Sequence, residues 1–228
     1  MTNKIKSGFI LIDKPLGITS HGVIACLRRI IGIRKIGHAG TLDPFATGLL
    51  IVAIGREATK KIDQFVKLDK EYIAEVFLGA ETDTYDQEGK IINSYDGLPI
   101  EKEKIEETLK KFLGKQQQIP PMFSAKKVNG KKLYELARKN IEIERKPSEI
   151  EIFDLELIEY GWPLLKIKVH CSSGTYIRSL AFDFGRELNC GAYLKGLRRS
   201  KIGEYNVEQS AAPDKIAKEN WEELLFNK

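Results

Sequence analysis

Apolar and polar positions along the chain predict short strands and helices separated by turns. Residues 8–13 are apolar up to the final aspartate, and the proline and glycine that follow are typical of a buried strand that ends at a turn. A helix is predicted to begin at Thr19 or Ser20, which suit a helix cap, and to end at Gly32. Its apolar side chains recur at the helical period, at Val23, Ile24, Leu27 and Ile31.

The next segments predict the first part of a sheet. Residues 49–54 form a fully apolar run that predicts a buried strand, and residues 57–67 predict a helix. Residues 72–78 alternate as a strand does, and residues 91–94 are interpreted as their hairpin partner across a polar loop. Residues 100–113 predict a highly charged amphipathic helix.

Turn signals dominate the middle of the chain, and strand signals return after them. Residues 116–121 are interpreted as a loop, Asn129-Gly130 predicts a tight turn, and residues 131–139 predict a short helix. Further strands are predicted over residues 142–145, 150–158, 164–171, 194–200 and 202–207.

Two more helices are predicted towards residue 228. Residues 173–185 are interpreted as a loop that opens a helix with Thr175 as its cap, and residues 211–226 predict a terminal helix. Strands and helices are interspersed without regular βαβ spacing, which favours an α+β fold around a mixed or mostly antiparallel sheet. Residues 102–146 are rich in lysine and glutamine and form either an insertion leaning out from the core or a solvated helical hairpin.

Composition and charge narrow the class of protein. The chain has 228 residues, of which 42% are hydrophobic, and 37 Lys and Arg against 32 Asp and Glu give a formal net charge of +5. At roughly 150 residues per domain, this length indicates one large domain or two small ones. The longest apolar run is far shorter than the ~20 residues of a membrane-spanning helix. We expect a soluble cytoplasmic protein with no membrane partner, whose mild positive charge allows a polyanionic partner without requiring one.

The sequence lacks the motifs that are typical of several kinds of functional site. The three cysteines and three histidines are scattered without metal-ligand spacing, so we expect no metal. Phosphate loops, dinucleotide-binding glycine motifs and the nucleophile elbow of hydrolases are missing as well, which removes most support for ATP, NAD and common hydrolase chemistry.

Asp43 is the strongest candidate for chemistry on residue types alone. It lies in segment 37–48, where three glycines allow close backbone approach and Pro44 biases Asp43 towards an extended conformation. A carboxylate held on such a loop beside an apolar strand becomes more reactive when it is partly desolvated. The competing interpretation is a simple Asp-Pro turn.

Other candidates suit RNA, and each has an ordinary structural alternative. His38 can stack on a base or be a plain loop histidine, and Arg178 can pair with a carboxylate or phosphate or be an exposed helix arginine. Tyr72 and Tyr176 suit base stacking as well as core packing. A basic strand that either meets phosphates or faces solvent contains Lys195, Arg198, Arg199 and Lys201.

Several motifs that occur in a fixed order identify a family more specifically than the single residues do. The segments GFILIDKPLGITS (8–20), GHAGTLDPFATGLL (37–50), PPMFSAK (120–126), CSSGTYIR (171–178) and GAYLKGLRR (191–199) closely resemble the TruB family of tRNA pseudouridine synthases. The resemblance runs from about residue 8 to residue 207 and implies the pseudouridine synthase fold.

The resemblance also implies a reaction and the residues that perform it. Such an enzyme converts the uridine at position 55 of the tRNA T loop into pseudouridine by flipping the base out, and needs no cofactor. Asp43 is implied as the catalytic aspartate, Tyr72 as the residue that stacks on the flipped base and Arg178 as the partner of Asp43. Substrate-binding positions implied in the same way are Lys14, His38, Lys60, Tyr176 and Leu197.

Domain organisation and partners follow from the same resemblance. Residues 1–210 are expected to form the catalytic domain, with residues 102–146 as an RNA-contacting thumb and residues 211–228 as a C-terminal helix or a truncated remnant. Bacterial members usually carry a further RNA-binding domain of the PUA type, which we expect to be missing here. We expect a monomer that binds the T stem-loop of tRNA without an obligate protein partner. The alternatives are a non-catalytic RNA-binding or tRNA-folding module on the same fold, and a synthase that works in a guide-RNA complex.

Overall fold

The computed structural model describes residues 7–124, 126–128, 130–139, 141 and 143–227, and the side chains of residues 127 and 132 are not described. Residues divide into two compact units. Unit 1 contains residues 1–72 and 197–228, and unit 2 contains residues 73–196. Unit 2 is therefore inserted in the sequence between the two parts of unit 1.

Among its described residues, unit 1 contains short strands and three α-helices. Its elements are β1 (Gly8–Lys14), α1 (Ser20–Ile31), β2 (Ile36–Ala39), β3 (Ala46–Ile54), α2 (Arg56–Lys60), α3 (Asp63–Val66) and β13 (Tyr205–Asn206), with the beginning of β4 (Lys70–Leu78) and the end of β12 (Ala192–Ile202). Strands β1 and β2 both pair with β3 in antiparallel fashion, and β12 pairs with β3 in parallel fashion.

Helix α1 forms as the sequence predicts. The Thr19 side chain accepts a hydrogen bond from the Gly22 amide at 2.9 Å, which satisfies one of the unpaired donors at the helix start. Gly32 ends the helix in the left-handed region, at φ 72°, which favours glycine. All four predicted apolar side chains of α1 are buried.

The core of unit 1 explains the unbroken apolar run of β3. Leu50, Val52 and Ile54 pack with α1 in one cluster, whereas Leu49, Ile51 and Ala53 pack with Phe9 and Phe65 in another. Because alternate side chains of a strand point to opposite faces, β3 is buried on both faces. From residue 49 to residue 54 the strand has no polar positions, and β3 directly follows the loop that carries Asp43.

Two sequence predictions in unit 1 are wrong. The helix predicted over 57–67 is broken into α2 and α3, because the Lys61 amide bonds to the Ala58 carbonyl three residues back and ends α2. The terminal helix predicted over 211–226 is replaced by turns and one 3₁₀ helix (Pro213–Lys215). There the Asn220 side chain bonds to the Ala217 amide and the Lys215 carbonyl, which competes with helix formation.

Residues 211–226 are nevertheless an integral part of unit 1. Ile216 and Trp221 are buried in the α1 cluster, and Phe226 exchanges two backbone hydrogen bonds of 2.9 Å with Phe9. This segment therefore covers the edge of β1 that β3 leaves unpaired.

Unit 2 contains the long antiparallel strands. Its elements are most of β4 and β12, β5 (Ala80–Thr82), β6 (Ile91–Ser94), α4 (Lys102–Lys111), β7 (Gly114–Gln118), β8 (Lys127–Val128), β9 (Lys131–Lys132), α5 (Leu133–Ala137), β10 (Ser148–Gly161), β11 (Leu164–Cys171) and α6 (Ile177–Glu187). The hydrogen-bonded order is β12-β4-β11-β10-β7, and both β11 and β7 are antiparallel to β10. The expected α+β class with a mostly antiparallel sheet is confirmed.

Local predictions in unit 2 are corrected at four places. Residues 91–94 pair with β5 and not with 72–78, because Gly79 at φ 95° turns the chain before β5 begins. The loop predicted over 116–121 is partly the edge strand β7, and its polar side chains are tolerated at a sheet edge. Thr175 donates to the Ser172 carbonyl, and Tyr176 occupies the cap position of α6. The described residues of the strand predicted over 142–145, residues 143–145, lie outside strands.

The remaining predictions agree in outline. Strands β8 and β9 form a hairpin at the predicted tight turn, where Gly130 has φ 79° and Asn129 lies outside the described residues. Helix α5 is shorter than the predicted 131–139. Strand β12 extends to Ile202, and the strand predicted over 202–207 is reduced to β13. Among the described residues, no helix is long and apolar enough to cross a membrane.

Candidate active site

Asp43 lies in unit 1, in the loop between β2 and β3. Its side chain is half-buried, and its backbone carbonyl accepts a hydrogen bond from the Ala46 amide at 3.1 Å. The neighbouring side chains of Leu42 and Phe45 are buried and anchor the loop on both sides. Asp43 therefore lies on a loop whose ends are fixed in the core, which is more than a surface Asp-Pro turn requires.

A second segment, residues 14–20, is hydrogen-bonded to this loop. The Ser20 hydroxyl donates to the Leu42 carbonyl at 3.1 Å and accepts from the Leu42 amide at 2.9 Å. The Gly17 amide donates to the Pro44 carbonyl at 2.9 Å. The residues on both sides of Asp43 are thus fixed by the same segment.

Lys14 links segment 14–20 to the Asp43 loop by hydrogen bonds. Its side chain is fully buried, and Nζ donates to the carbonyls of Pro15 (2.9 Å), Ile18 (2.7 Å) and Pro44 (3.3 Å). Burial lowers the pKa of Lys14 from 10.5 to about 8, while the negative charge of Asp43 opposes this shift and the positive charge of Arg199 adds to it. The attraction between Lys14 and Asp43 is mutual, so the lysine cation favours the aspartate in its ionised form.

Arg199 is a second buried cation beneath the same loop. Its Nε donates to the Leu49 carbonyl at 2.8 Å and its Nη2 donates to the Gly40 carbonyl at 3.1 Å. Gly48 has φ 101°, and a Cβ there would collide with the backbone of Arg199. A glycine is therefore required where β3 passes the arginine.

Three residues of the basic strand considered in the sequence interact within the protein. Arg199 is buried, Arg198 makes a two-bond ion pair with Asp13 at 3.0 and 2.8 Å, and Lys201 lies 3.4 Å from Glu71. No sequence signal distinguished Arg199 as buried, because a lysine- and arginine-rich stretch is more often solvated.

His38 lies at the start of the Asp43 loop, in β2. Burial lowers the pKa of His38 from 6.5 to about 4, with His21 and Arg199 adding to the shift, so the imidazole is neutral at physiological pH. Its ring packs edge-to-face against His21, with centroids 5.2 Å apart. Within the described part of the chain, its buried Nδ1 has no hydrogen-bond partner.

The other predicted residues of unit 1 differ in their surroundings. Tyr72 is buried in β4, and half-buried Leu197 lies opposite Ala46 in the β12–β3 pairing. Lys60 is exposed on α2 and pairs with Glu57 at 3.1 Å. The structure thus brings Lys14 together with the Asp43 loop and places Lys60 at the surface.

In unit 2, Arg178 is buried and is not an exposed helix arginine. Its Nη1 lies 3.3 Å from Asp86 Oδ2 and also donates to the Thr84 carbonyl at 3.3 Å, while Nη2 donates to the Phe123 carbonyl at 2.7 Å. Asp86 accepts two further bonds at Oδ1, from the Thr84 hydroxyl (2.6 Å) and the Glu88 amide (3.0 Å). Sequence reasoning did not single out Asp86, since an acidic residue in a polar loop carries no distinctive signal. The implied pairing of Arg178 with Asp43 stays a prediction.

Tyr176 precedes Arg178 and is fixed through its backbone. Its amide donates to Gln118 Oε1 at 2.8 Å, and Gln118 Nε2 donates to the Tyr176 carbonyl at 3.0 Å. Both of these bonds use backbone atoms of Tyr176, so β7 fixes the position from which its half-buried side chain projects. Across the described ranges, no three His, Cys, Asp or Glu side chains converge as metal ligands do.

Comparison with known proteins adds the family context. Residues 28–177 match the model described as "TruB family pseudouridylate synthase (N terminal domain)". The chain is 50% identical over 209 residues to the tRNA pseudouridine synthase B of Chlamydia abortus, covering 92% of this chain and 88% of the relative. It is 48% identical over 227 residues to the enzyme of the same name from Desulfotalea psychrophila, covering 97% and 92%.

A solved structure extends this similarity to the fold. The structure titled "Crystal Structure of a Cbf5-Nop10-Gar1 Complex" superposes with a TM-score of 0.69 at 29% identity. The match covers 90% of this chain and 52% of the solved one, so the chain spans about half the length of that protein.

Proposed function

The chain belongs to the TruB family of pseudouridylate synthases, and from this premise we infer that it isomerises uridine to pseudouridine in tRNA. The observation that carries the assignment is Asp43, a half-buried carboxylate on a loop anchored at both ends and flanked by two buried cations. The target is the uridine at position 55 of the T loop, and no cofactor takes part.

The chemistry requires the target base to leave its stack. Flipping a nucleotide out costs a few kcal/mol, and stacking of the base on Tyr72 offsets about 1–3 kcal/mol of it. In the reaction the N1–C1′ bond breaks, the uracil turns, C5 bonds to C1′, the C5 proton leaves and N1 takes up a proton, so the product is an isomer of uridine.

The residues around Asp43 favour its ionised form and hold its loop in place. A nucleophile must be ionised, and the Lys14 cation favours that form. The hydrogen bonds to Leu42 and Pro44 hold the loop on each side of Asp43, so little reorganisation is needed when substrate binds. Arg178 is proposed as a catalytic residue, and Lys14, His38, Lys60, Tyr176 and Leu197 are proposed to bind or support the substrate.

Tritium release from a T stem-loop RNA labelled at C5 of the target uridine tests the assignment. Wild type should release tritium, and Asp43→Asn should lower the rate by at least about 10³-fold while RNA binding is kept. Asp214→Asn is a matched control at an exposed position of unit 1 and should release tritium at the wild-type rate. Equal release by wild type and Asp43→Asn would exclude Asp43 as the nucleophile, whereas RNA binding without any release by wild type would favour a non-catalytic module.

The proposed working unit is a cytoplasmic monomer without an obligate protein partner. The bacterial relatives carry the name of the synthase alone, whereas the solved relative is titled as a complex with Nop10 and Gar1. Light scattering should give the mass of one chain, and the purified chain alone should release tritium. Activity that appears only after cell extract is added would contradict this proposal.

A further inference from the structure

Leu16 is an exposed apolar side chain in the segment that is hydrogen-bonded to the Asp43 loop. Its side chain is 64% exposed, whereas Ile12, Val23 and Leu27 of the neighbouring elements are fully buried. An isolated exposed leucine is common on protein surfaces and needs no explanation by itself. What distinguishes Leu16 is the backbone that carries it.

The backbone on both sides of Leu16 is fixed by three independent sets of contacts. The Lys14 ammonium binds the carbonyls of Pro15 and Ile18, which immediately flank the Leu16-Gly17 pair. Gly17 has φ 83° and donates its amide to the Pro44 carbonyl. Thr19 then caps α1, so the segment leads directly into a packed helix. A flexible tip would lack all of these contacts.

The same contacts place the backbone next to Leu16 against Pro44, the residue that follows Asp43. The carbonyl of Pro44 accepts hydrogen bonds from both Gly17 and Lys14, so residues 14–17 lie against the chain on the C-terminal side of Asp43. A nucleotide whose ribose reaches Asp43 must bring its neighbours in the RNA loop close to this segment. An apolar side chain at a fixed position there meets the flat apolar face of a base.

We propose that Leu16 is a substrate-binding residue that packs against an unpaired base of the RNA loop next to the flipped nucleotide. Flipping removes a stacking partner from that neighbour, and apolar side chains such as leucine occupy such gaps in other protein–nucleic acid complexes. This inference rests on the proposed function, because it takes the partner to be an RNA loop with one nucleotide turned towards Asp43.

The test compares Leu16→Ala with a matched control, Leu98→Ala. Leu98 is 84% exposed and belongs to unit 2, so the two variants remove the same atoms from exposed positions. We expect Leu16→Ala to raise the dissociation constant for an unmodified T stem-loop about tenfold, equivalent to about 1.4 kcal/mol. Leu98→Ala should leave it within twofold of wild type, and Leu16→Met should recover most of the affinity.

Salt dependence separates this contact from a phosphate contact. An apolar contact leaves the slope of log Kd against log salt unchanged, whereas loss of a phosphate contact makes the slope shallower. Binding is measured in the Asp43→Asn background so that RNA is not consumed, and circular dichroism melting checks that each variant is folded. A Kd for Leu16→Ala within twofold of wild type, or equal losses in Leu16→Ala and Leu98→Ala, would overturn the proposal. Absence of tritium release by wild type would instead overturn the proposed function and leave the comparison of Kd values interpretable.

Discussion

The buried ammonium of Lys14 makes protein stability depend on pH in a way that can be calculated. Burial lowers its pKa from 10.5 to about 8, so between these values the unfolded chain binds a proton at Lys14 that the folded chain does not. The free energy of unfolding therefore rises with pH across this window. For one group with these two pKa values, the rise between pH 7 and pH 9 is about 1.3 kcal/mol.

Urea unfolding of wild type and Lys14→Met at pH 7, 8 and 9 isolates this contribution. Methionine has a similar length and no titrating group, so the difference between the two curves cancels every other ionisable residue. Wild type should gain about 1.3 kcal/mol relative to Lys14→Met over the interval. The variant also leaves the carbonyls of Pro15, Ile18 and Pro44 without their donor, which changes its stability by the same amount at each pH.

Parallel curves for the two proteins, within about 0.3 kcal/mol, would refute the reasoning, because Lys14 would then titrate alike in the folded and unfolded states. An NMR titration of the Lys14 side chain in wild type gives an independent check that does not depend on the variant being folded. Its midpoint should lie near pH 8, well below that of the exposed lysines.

Three further predictions concern groups away from Lys14. Arg178→Met should destabilise the protein by at least about 2 kcal/mol in urea unfolding, because it leaves the buried Asp86 carboxylate without its cation. A double-mutant cycle with Asp86→Asn should show a coupling of about 1–3 kcal/mol, and additive effects of the two substitutions would contradict the ion pair. Arg199→Lys should slow tritium release at saturating RNA more than it weakens RNA binding, since one ammonium cannot span the Leu49 and Gly40 carbonyls as the guanidinium does. A loss confined to RNA binding would count against a role of Arg199 in holding the Asp43 loop. Trp221→Ala should cost about 3–5 kcal/mol of unfolding free energy, and a change below 1 kcal/mol would show that residues 211–226 are not part of the core.

Local signals in the sequence were sufficient where neighbouring residues determine the structure. Helix α1 was predicted with both ends, because its Thr19 cap, apolar period and Gly32 terminator lie within the helix or next to it. The same holds for β1 and β3, whose apolar runs are buried, and for β11, in which buried and less buried side chains alternate. The expectation that Asp43 and Lys14 belong to one site came from the resemblance of segments 8–20 and 37–50, and Lys14 is hydrogen-bonded to the Asp43 loop at Pro44.

The failures have a common physical cause, which is a partner distant in sequence. Strand β7 is polar and becomes a strand only by pairing with β10, more than thirty residues later. Residues 211–226 contain a helix-like pattern, yet Trp221 and Phe226 are held by α1 and β1. Arg199 is buried through its bonds to Gly40 and Leu49, about 150 positions earlier, and composition alone cannot distinguish it from the half-buried Arg198 beside it.

The pairing of Phe9 with Phe226 has a consequence for the order in which the protein is built. A ribosome completes β1 first, but the strand receives its second hydrogen-bonded neighbour only after residues 211–226 have been synthesised. Unit 2 is continuous in sequence and can become compact before that point, whereas unit 1 must wait for its second part. In the interval, the apolar edge of β1 is open to pairing with other nascent chains. Slow translation before residues 211–226 are completed should therefore promote aggregation of the nascent protein.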